Sequence, residues 1–234
     1  MALAAPLDDA GSAGAPGWYG KLAALGDFAR RRLAPEVSDA CDAWLSAGMR
    51  AGQERLGTRW LEIYLTAPLL RFAWAPGVQG PSWWFGVLMP SCDAVGRYFP
   101  LLVVQARAQP PADRPALEHL EAWYEAVAQA ALHTLGARAS VESFEAALQT
   151  LPPWPVPRMP PAPPCSLGEW ALALALREAQ ARLSGCSLWW RGAQGDGALL
   201  VKVSRGLPRS EEWSGLLLDD NWITSPGQPG IVSF

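Results

Sequence analysis

Three features of the 234-residue chain predict an α/β fold, a single layered αβα sandwich around a mixed, largely antiparallel sheet. Half of the residues are hydrophobic and 18% are charged, a composition that buries a substantial core without disulfide or metal. Between residues 61 and 104 apolar side chains alternate or run in short stretches, with connections too short for helical crossovers, which favours antiparallel pairing. Helical periodicity flanks this region on both sides.

Residues 1–16 are rich in Ala, Gly, Pro and Asp without apolar periodicity and are expected to be a disordered lead-in. From Pro35 to Leu56 apolar or small residues recur at Val37, Cys41, Trp44, Leu45, Gly48, Met49 and Leu56, the spacing of a helix with one buried face that Gly57 is placed to end. Leu61, Ile63 and Leu65 alternate with polar or amphipathic neighbours, and Leu70, Phe72 and Trp74 do so again after Pro68, predicting two strands. Glycines and prolines from 76 to 81 turn the chain into a third strand, Trp83 to Met89, and a fourth runs from Phe99 through Val104.

The second half opens with helices. Pro115 suits the first turn of one whose stripe is Leu117, Leu120, Tyr124, Val127 and Ala131, closing at Gly136, and Ser140 can cap another carrying Val141, Phe144 and Leu148. Eight of the fifteen residues from Leu151 to Cys165 are proline, which forbids helix and central strand and predicts an extended surface connector. Ser166 and Glu169 form a capping box for a helix through Leu183 ended by Gly185, and the remaining strand candidates are Ser187 to Trp190 and Leu199 to Val203. Two strands and a helix make a poor independent domain. The expectation is therefore one domain over 17–218, with the late strands extending the first sheet and 219–234 as a tail.

Composition also narrows the chemistry. A net charge of −3 gives no basic footprint for nucleic acid. Cys41, Cys92, Cys165 and Cys186 are far apart with no CxxC pair, and the two histidines, His119 and His133, are too few to complete the usual zinc sets with them, so neither a disulfide framework nor a zinc set is indicated. No run approaches the ~20 apolar residues of a membrane span, and the N-terminus lacks signal-peptide character, which predicts a cytoplasmic protein. No GxSxG elbow, GxxxxGK[ST] loop or GxGxxG turn is present, and Gly192, Gly195 and Gly197 fit a polar hairpin tip. No cofactor is expected. The doublets Trp83-Trp84 and Trp189-Trp190 sit in strand-like runs where consecutive side chains face opposite sides, so core packing explains them better than a ligand platform.

Polar residues that look selected lie in two segments. One is Gly17-Trp18-Tyr19-Gly20-Lys21-Leu22 running to Gly26-Asp27-Phe28, and the other is the run from Pro90-Ser91-Cys92-Asp93 through Val95-Gly96-Arg97-Tyr98 to Phe99-Pro100-Leu101. With Asp42, Trp44 and Leu45 between them, and Trp189-Trp190 and Gly206-Leu207-Pro208 later, the order resembles the TagF family, also called ImpM, of type VI secretion-associated proteins. Ala23 departs from the proline usual in the first segment.

The resemblance implies an α/β sandwich without known catalytic activity, present in Gram-negative bacteria. It implies a post-translational repressor of type VI secretion that sequesters a forkhead-associated (Fha) scaffold protein, here as the module alone without the phosphatase domain of some relatives. A structural accessory component of the machine and a hydrolase using Ser91 or Asp93 are the alternatives. Candidate partner-binding or motif-pinning residues are Trp18, Lys21, Asp27, Ser91, Asp93 and Arg97, and pairing of Asp27 or Asp93 with Arg97 would pin the two segments together.

Overall fold

The computed structural model describes residues 14–111, 114–154, 166–191 and 200–218. The chain begins with two short strands, β1 (Gly17–Gly20) and β2 (Ala29–Arg31), followed by helices α1 (Pro35–Leu56) and α2 (Trp60–Thr66). Strands β3 (Leu70–Trp74), β4 (Trp83–Met89) and β5 (Leu101–Arg107) come next, then helices α3 (Arg114–His133), α4 (Val141–Gln149) and α5 (Leu167–Leu183). Strands β6 (Cys186–Arg191) and β7 (Val201–Arg205) and the short helix α6 (Trp213–Leu217) complete the described fold.

The seven strands form one sheet in the order β2-β1-β5-β4-β3-β6-β7. Every pairing in it is antiparallel, so the expected mixed character is absent among the described strands. β6 pairs with β3 along its full length, from Leu70 opposite Arg191 to Trp74 opposite Ser187. The late strands thus extend the first sheet.

Alternation along the strands divides the core in two. One face packs Trp18, Phe85, Val87, Leu101 and Val103 against Leu120, Trp123, Tyr124 and Val127 of α3 and Phe144 and Leu148 of α4. The other packs Phe72, Trp74, Leu88, Leu102 and Trp189 against Cys41, Leu45 and Met49 of α1, Trp60 and Tyr64 of α2, and Trp213 and Leu216 of α6. The tryptophan doublets follow the pleat. Trp83 joins the first core and Trp84 the margin of the second, while Trp189 is in the second and Trp190 at the margin of the first. Gly48 and Gly52 cut notches into α1, where an added Cβ would come within 2.5 Å of the Trp213 ring and 2.4 Å of the Trp60 ring.

α1 has the expected bounds, with Pro35 in its first turn and Gly57 at its C-cap. Ser140 caps α4, its hydroxyl accepting from the Ser143 amide at 3.1 Å. Two expectations are corrected. Residues 61–66 are not a strand but most of α2, because the residues that go inside are Trp60, Ile63 and Tyr64, at helical spacing, whereas Leu61 and Leu65 face solvent. In α3 the buried stripe runs through Leu120, Trp123, Tyr124, Val127 and Ala131, and Leu117 is exposed.

Before β1, the Gly14 carbonyl accepts from Gln105 Nε2 and the Pro16 carbonyl from Arg32 Nε, so the last residues of the expected lead-in are tied to the sheet. Trp154, at the start of the proline run, packs against Phe85 and Trp123. Residues 155–165, the glycines of 192–197 and the tail from 219 lie outside the described residues, as do the side chain of Glu169 and its capping box.

Candidate functional site

β1 leads into loop 21–28 and β4 leads into loop 90–100, which returns as β5. Because β1 and β4 flank β5, with Gly20 and Met89 both opposite Leu101, the two loops emerge side by side at one end of the sheet. The Ala94 amide donates to the Leu25 carbonyl at 2.7 Å and joins them directly.

Beneath that join lies a buried ion pair. Lys21 Nζ is 2.9 Å from Asp93 Oδ2, with both side chains almost wholly out of solvent. Arg97 Nε reaches the same oxygen at 2.7 Å, while Asp93 Oδ1 accepts from the amides of Arg97 at 2.8 Å and Val95 at 3.1 Å. Four donors use the acceptor capacity of the carboxylate. Arg97 Nη2 donates onward to the Gly26 carbonyl, so a single guanidinium holds both loops. Gly96, at φ 82°, supplies the left-handed residue that closes the turn.

Burial alone would raise the Asp93 pKa, but the Lys21 ammonium, the Arg97 amide and guanidinium and the Val95 amide outweigh it and hold the carboxyl well below the usual carboxylate range. A depressed folded-state pKa contributes stability that is complete above the unfolded value, near 4, and is lost as pH falls toward the folded value. Wild-type protein is therefore expected to lose melting temperature steadily from about pH 4 downward. Asp93→Asn should melt lower at pH 7 and show a shallower acid slope, with a residual slope from Glu142 and Glu145, whose carboxyls are also lowered. Parallel melting curves for the two proteins across pH 2–7 would show that Asp93 does not carry this dependence.

The other candidates take different places. Ser91 is buried. Its hydroxyl donates to the Lys21 carbonyl at 2.8 Å, and its amide and carbonyl both meet the Tyr64 hydroxyl at 2.9 Å, which ties α2 to the turn. Asp27 is exposed and accepts from the neighbouring Phe28 amide, so the choice between Asp27 and Asp93 as partner of Arg97 falls to Asp93. Trp18 is fully buried, its indole N–H donating to Glu145, which also receives Arg32. Both histidines are exposed on α3. Cys41, Cys92 and Cys186 are free thiols, and burial pushes that of Cys41 up to about 12.

The residue reading did not find Tyr64 or Glu145 as members of this framework, nor the outward set of Phe28, Val95 and Tyr98. All three were within the motifs, but a motif does not say which of its apolar residues face out. Phe28 stands edge-on to Phe99 at 4.8 Å with Lys21 Nζ 4.9 Å from its ring centre, and is still 45% exposed.

A family model described as TagF N-terminal domain, type VI secretion system-associated, matches residues 17–151, which contain both loops and all six candidate residues. The chain belongs to the TagF family. Among solved structures it is similar to PA0076 from Pseudomonas aeruginosa PAO1, with 38% identity over 92% of this chain and 99% of that one, at a TM-score of 0.73. The comparison with curated proteins finds no match. The likeness to PA0076 carries the TagF-type fold beyond the family match and into the region of β6, β7 and α6. Among the described residues of this TagF chain, no group of three His, Cys, Asp or Glu could hold a metal, and no helix is long and apolar enough to cross a membrane.

Proposed function

We propose that this TagF chain is a non-catalytic, post-translational repressor of a bacterial type VI secretion system, acting in the cytoplasm by binding and sequestering an Fha scaffold protein. The observation that carries the reading is the use of the motif residues. Lys21, Asp93 and Arg97 are spent on an internal pin that holds two loops in fixed positions, while Phe28, Val95 and Tyr98 are left facing outward. A rigid scaffold presenting exposed aromatic residues suits protein recognition. Family membership adds the secretion system as the setting.

The geometry gives the hydrolase alternative little to work with. The Ser91 hydroxyl is buried against a carbonyl, and the four donors around Asp93 occupy its lone pairs. Deleting the gene is expected to raise secretion of the system's effectors, and affinity purification of the protein from its host should recover an Fha scaffold. Lower secretion on deletion, or co-purification with assembled sheath in place of the scaffold, would support the structural-component alternative and overturn repression.

A further inference from the structure

We propose that residues 207–218, which follow β7 and include α6, form a latch. The segment lifts as a unit while the sheet stays folded, and it closes again over the tryptophans of the second core.

The root of the segment is fixed. Gly206, at φ 69°, donates its amide to the Gly185 carbonyl and accepts from Ser187 Oγ, both at 2.6 Å, so it stays with the start of β6. Beyond it, three side chains tie the segment to the body through its carbonyls. Trp44 Nε1 donates to Pro208 at 2.8 Å and Arg55 Nη1 to Glu211 at 3.1 Å, while Arg191 Nη2 reaches Leu216 at 3.4 Å and Leu218 at 3.2 Å. The amides of Glu212 and Leu218 close on Arg209 and Ser214 of the segment itself, so these bonds survive when it lifts. No described strand or helix follows α6, and lifting it breaks no pairing of the sheet.

Two opposing effects act on the closed state. Apolar burial holds it shut: Trp213 sits in the Gly48 notch of α1, Leu216 is buried beside it, and the Trp213 ring meets Trp44 at 5.2 Å. Trp44 in turn meets Trp189 at 5.7 Å and Trp74 at 6.1 Å. Against this, Trp213 Nε1 and Ser214 Oγ are both buried with no hydrogen-bond partner among the described residues, and Trp74 Nε1 is in the same condition. Each group on the segment regains a partner from water when the segment lifts and loses it on closing. A short terminal segment held by buried rings but carrying unpaired polar atoms belongs to the low-stability end of a fold, where opening precedes global unfolding. The two states differ in the tryptophan surface they present, so a ligand that prefers one shifts the balance between them.

Hydrogen exchange on the full chain, followed by NMR in urea below the unfolding transition, tests the latch. Relative to their unfolded rates, the amides of Glu212 and Leu218 should exchange at least about 100-fold faster than those of β4 and β5, with a weaker urea dependence because a small opening exposes little surface. The Trp44 indole N–H, held by Pro208, should share their protection. Ser214→Ala removes one unpaired group with little change of shape and should slow all three about tenfold. Gly48→Ala crowds the Trp213 ring and should speed them at least about tenfold. Exchange of the three groups at the rate and urea slope of the sheet overturns the latch, since the segment then leaves only with the whole fold. A Trp44 indole protected like the sheet while Glu212 and Leu218 exchange fast also overturns it, because α6 then frays without lifting. Exchange in Ser214→Ala no slower than in wild type overturns the part assigned to the unpaired groups.

Discussion

Lys21→Met is expected to cost the protein about 3 kcal/mol of stability, the low end of the range for breaking a buried ion pair from one side. Methionine fills most of the lysine volume, so the loss is electrostatic and not a cavity effect. Asp93 stays buried and charged, with one of its two ionic partners removed. Arg97 and the two amides still hold the carboxylate, which keeps the cost from rising higher. Arg97→Lys should cost less, about 1 kcal/mol, because its side chain is more than half exposed and solvent screens it. The contrast separates an internal pin from a surface ion pair, and urea denaturation of both variants measures it. A Lys21→Met protein as stable as Arg97→Lys would mean that Lys21 contributes no more than the half-exposed arginine does.

That pin was legible in outline because charged residues stood among Gly, Pro and aromatics, an uncommon setting for side chains that only need solvation. Its partner choice was not legible. Asp27 and Asp93 are equivalent on paper, and only the turn that folds the Val95 and Arg97 amides back onto Asp93 distinguishes them. For Trp18 the sequence left partner binding and motif pinning open, and only the fold shows that it lies on a strand paired on both sides, with its N–H spent on a glutamate 127 residues away.

Strands β3, β4 and β6 were readable because their apolar residues are dense and their ends are marked by turn residues. Region 61–66 misled because a single helical turn and a half offers too few residues to separate a period of 3.6 from one of two. There Tyr64 counted as the polar member of an alternation although it is buried. β1 and β2 escaped for a different reason. β1 has glycine at two of its four positions and β2 is a three-residue edge strand with two arginines, so propensity argues against both. What makes them strands is tertiary: β1 has β5 on one side and β2 on the other.

Gly20→Ala is expected to be the most damaging small substitution, at about 3 kcal/mol or more, from backbone strain and overlap acting together. Gly20 has φ 134°, a conformation that L side chains rarely adopt. A Cβ there would stand 2.1 Å from the Pro100 carbonyl oxygen and 3.1 Å from Leu101 Cα. Both contacts are main chain, so no rotamer change relieves them. The only relief is to push apart the start of β5 and the end of β1, where Gly20 pairs with Leu101. Lys21 follows immediately, so such a shift also draws its ammonium off Asp93 and adds part of the ion-pair loss. Gly96→Ala is the internal comparison: φ there is 82°, but nothing lies within 4 Å of an added Cβ, so strain acts alone. At roughly 2–4 °C of melting temperature per kcal/mol for a chain of this size, Gly20→Ala should melt at least about 6 °C below wild type. Gly96→Ala should lose a fraction of that. Equal melting temperatures for the two variants would show that the Pro100 carbonyl yields without cost, and that the close approach of the two loops is not what Gly20 is there to permit.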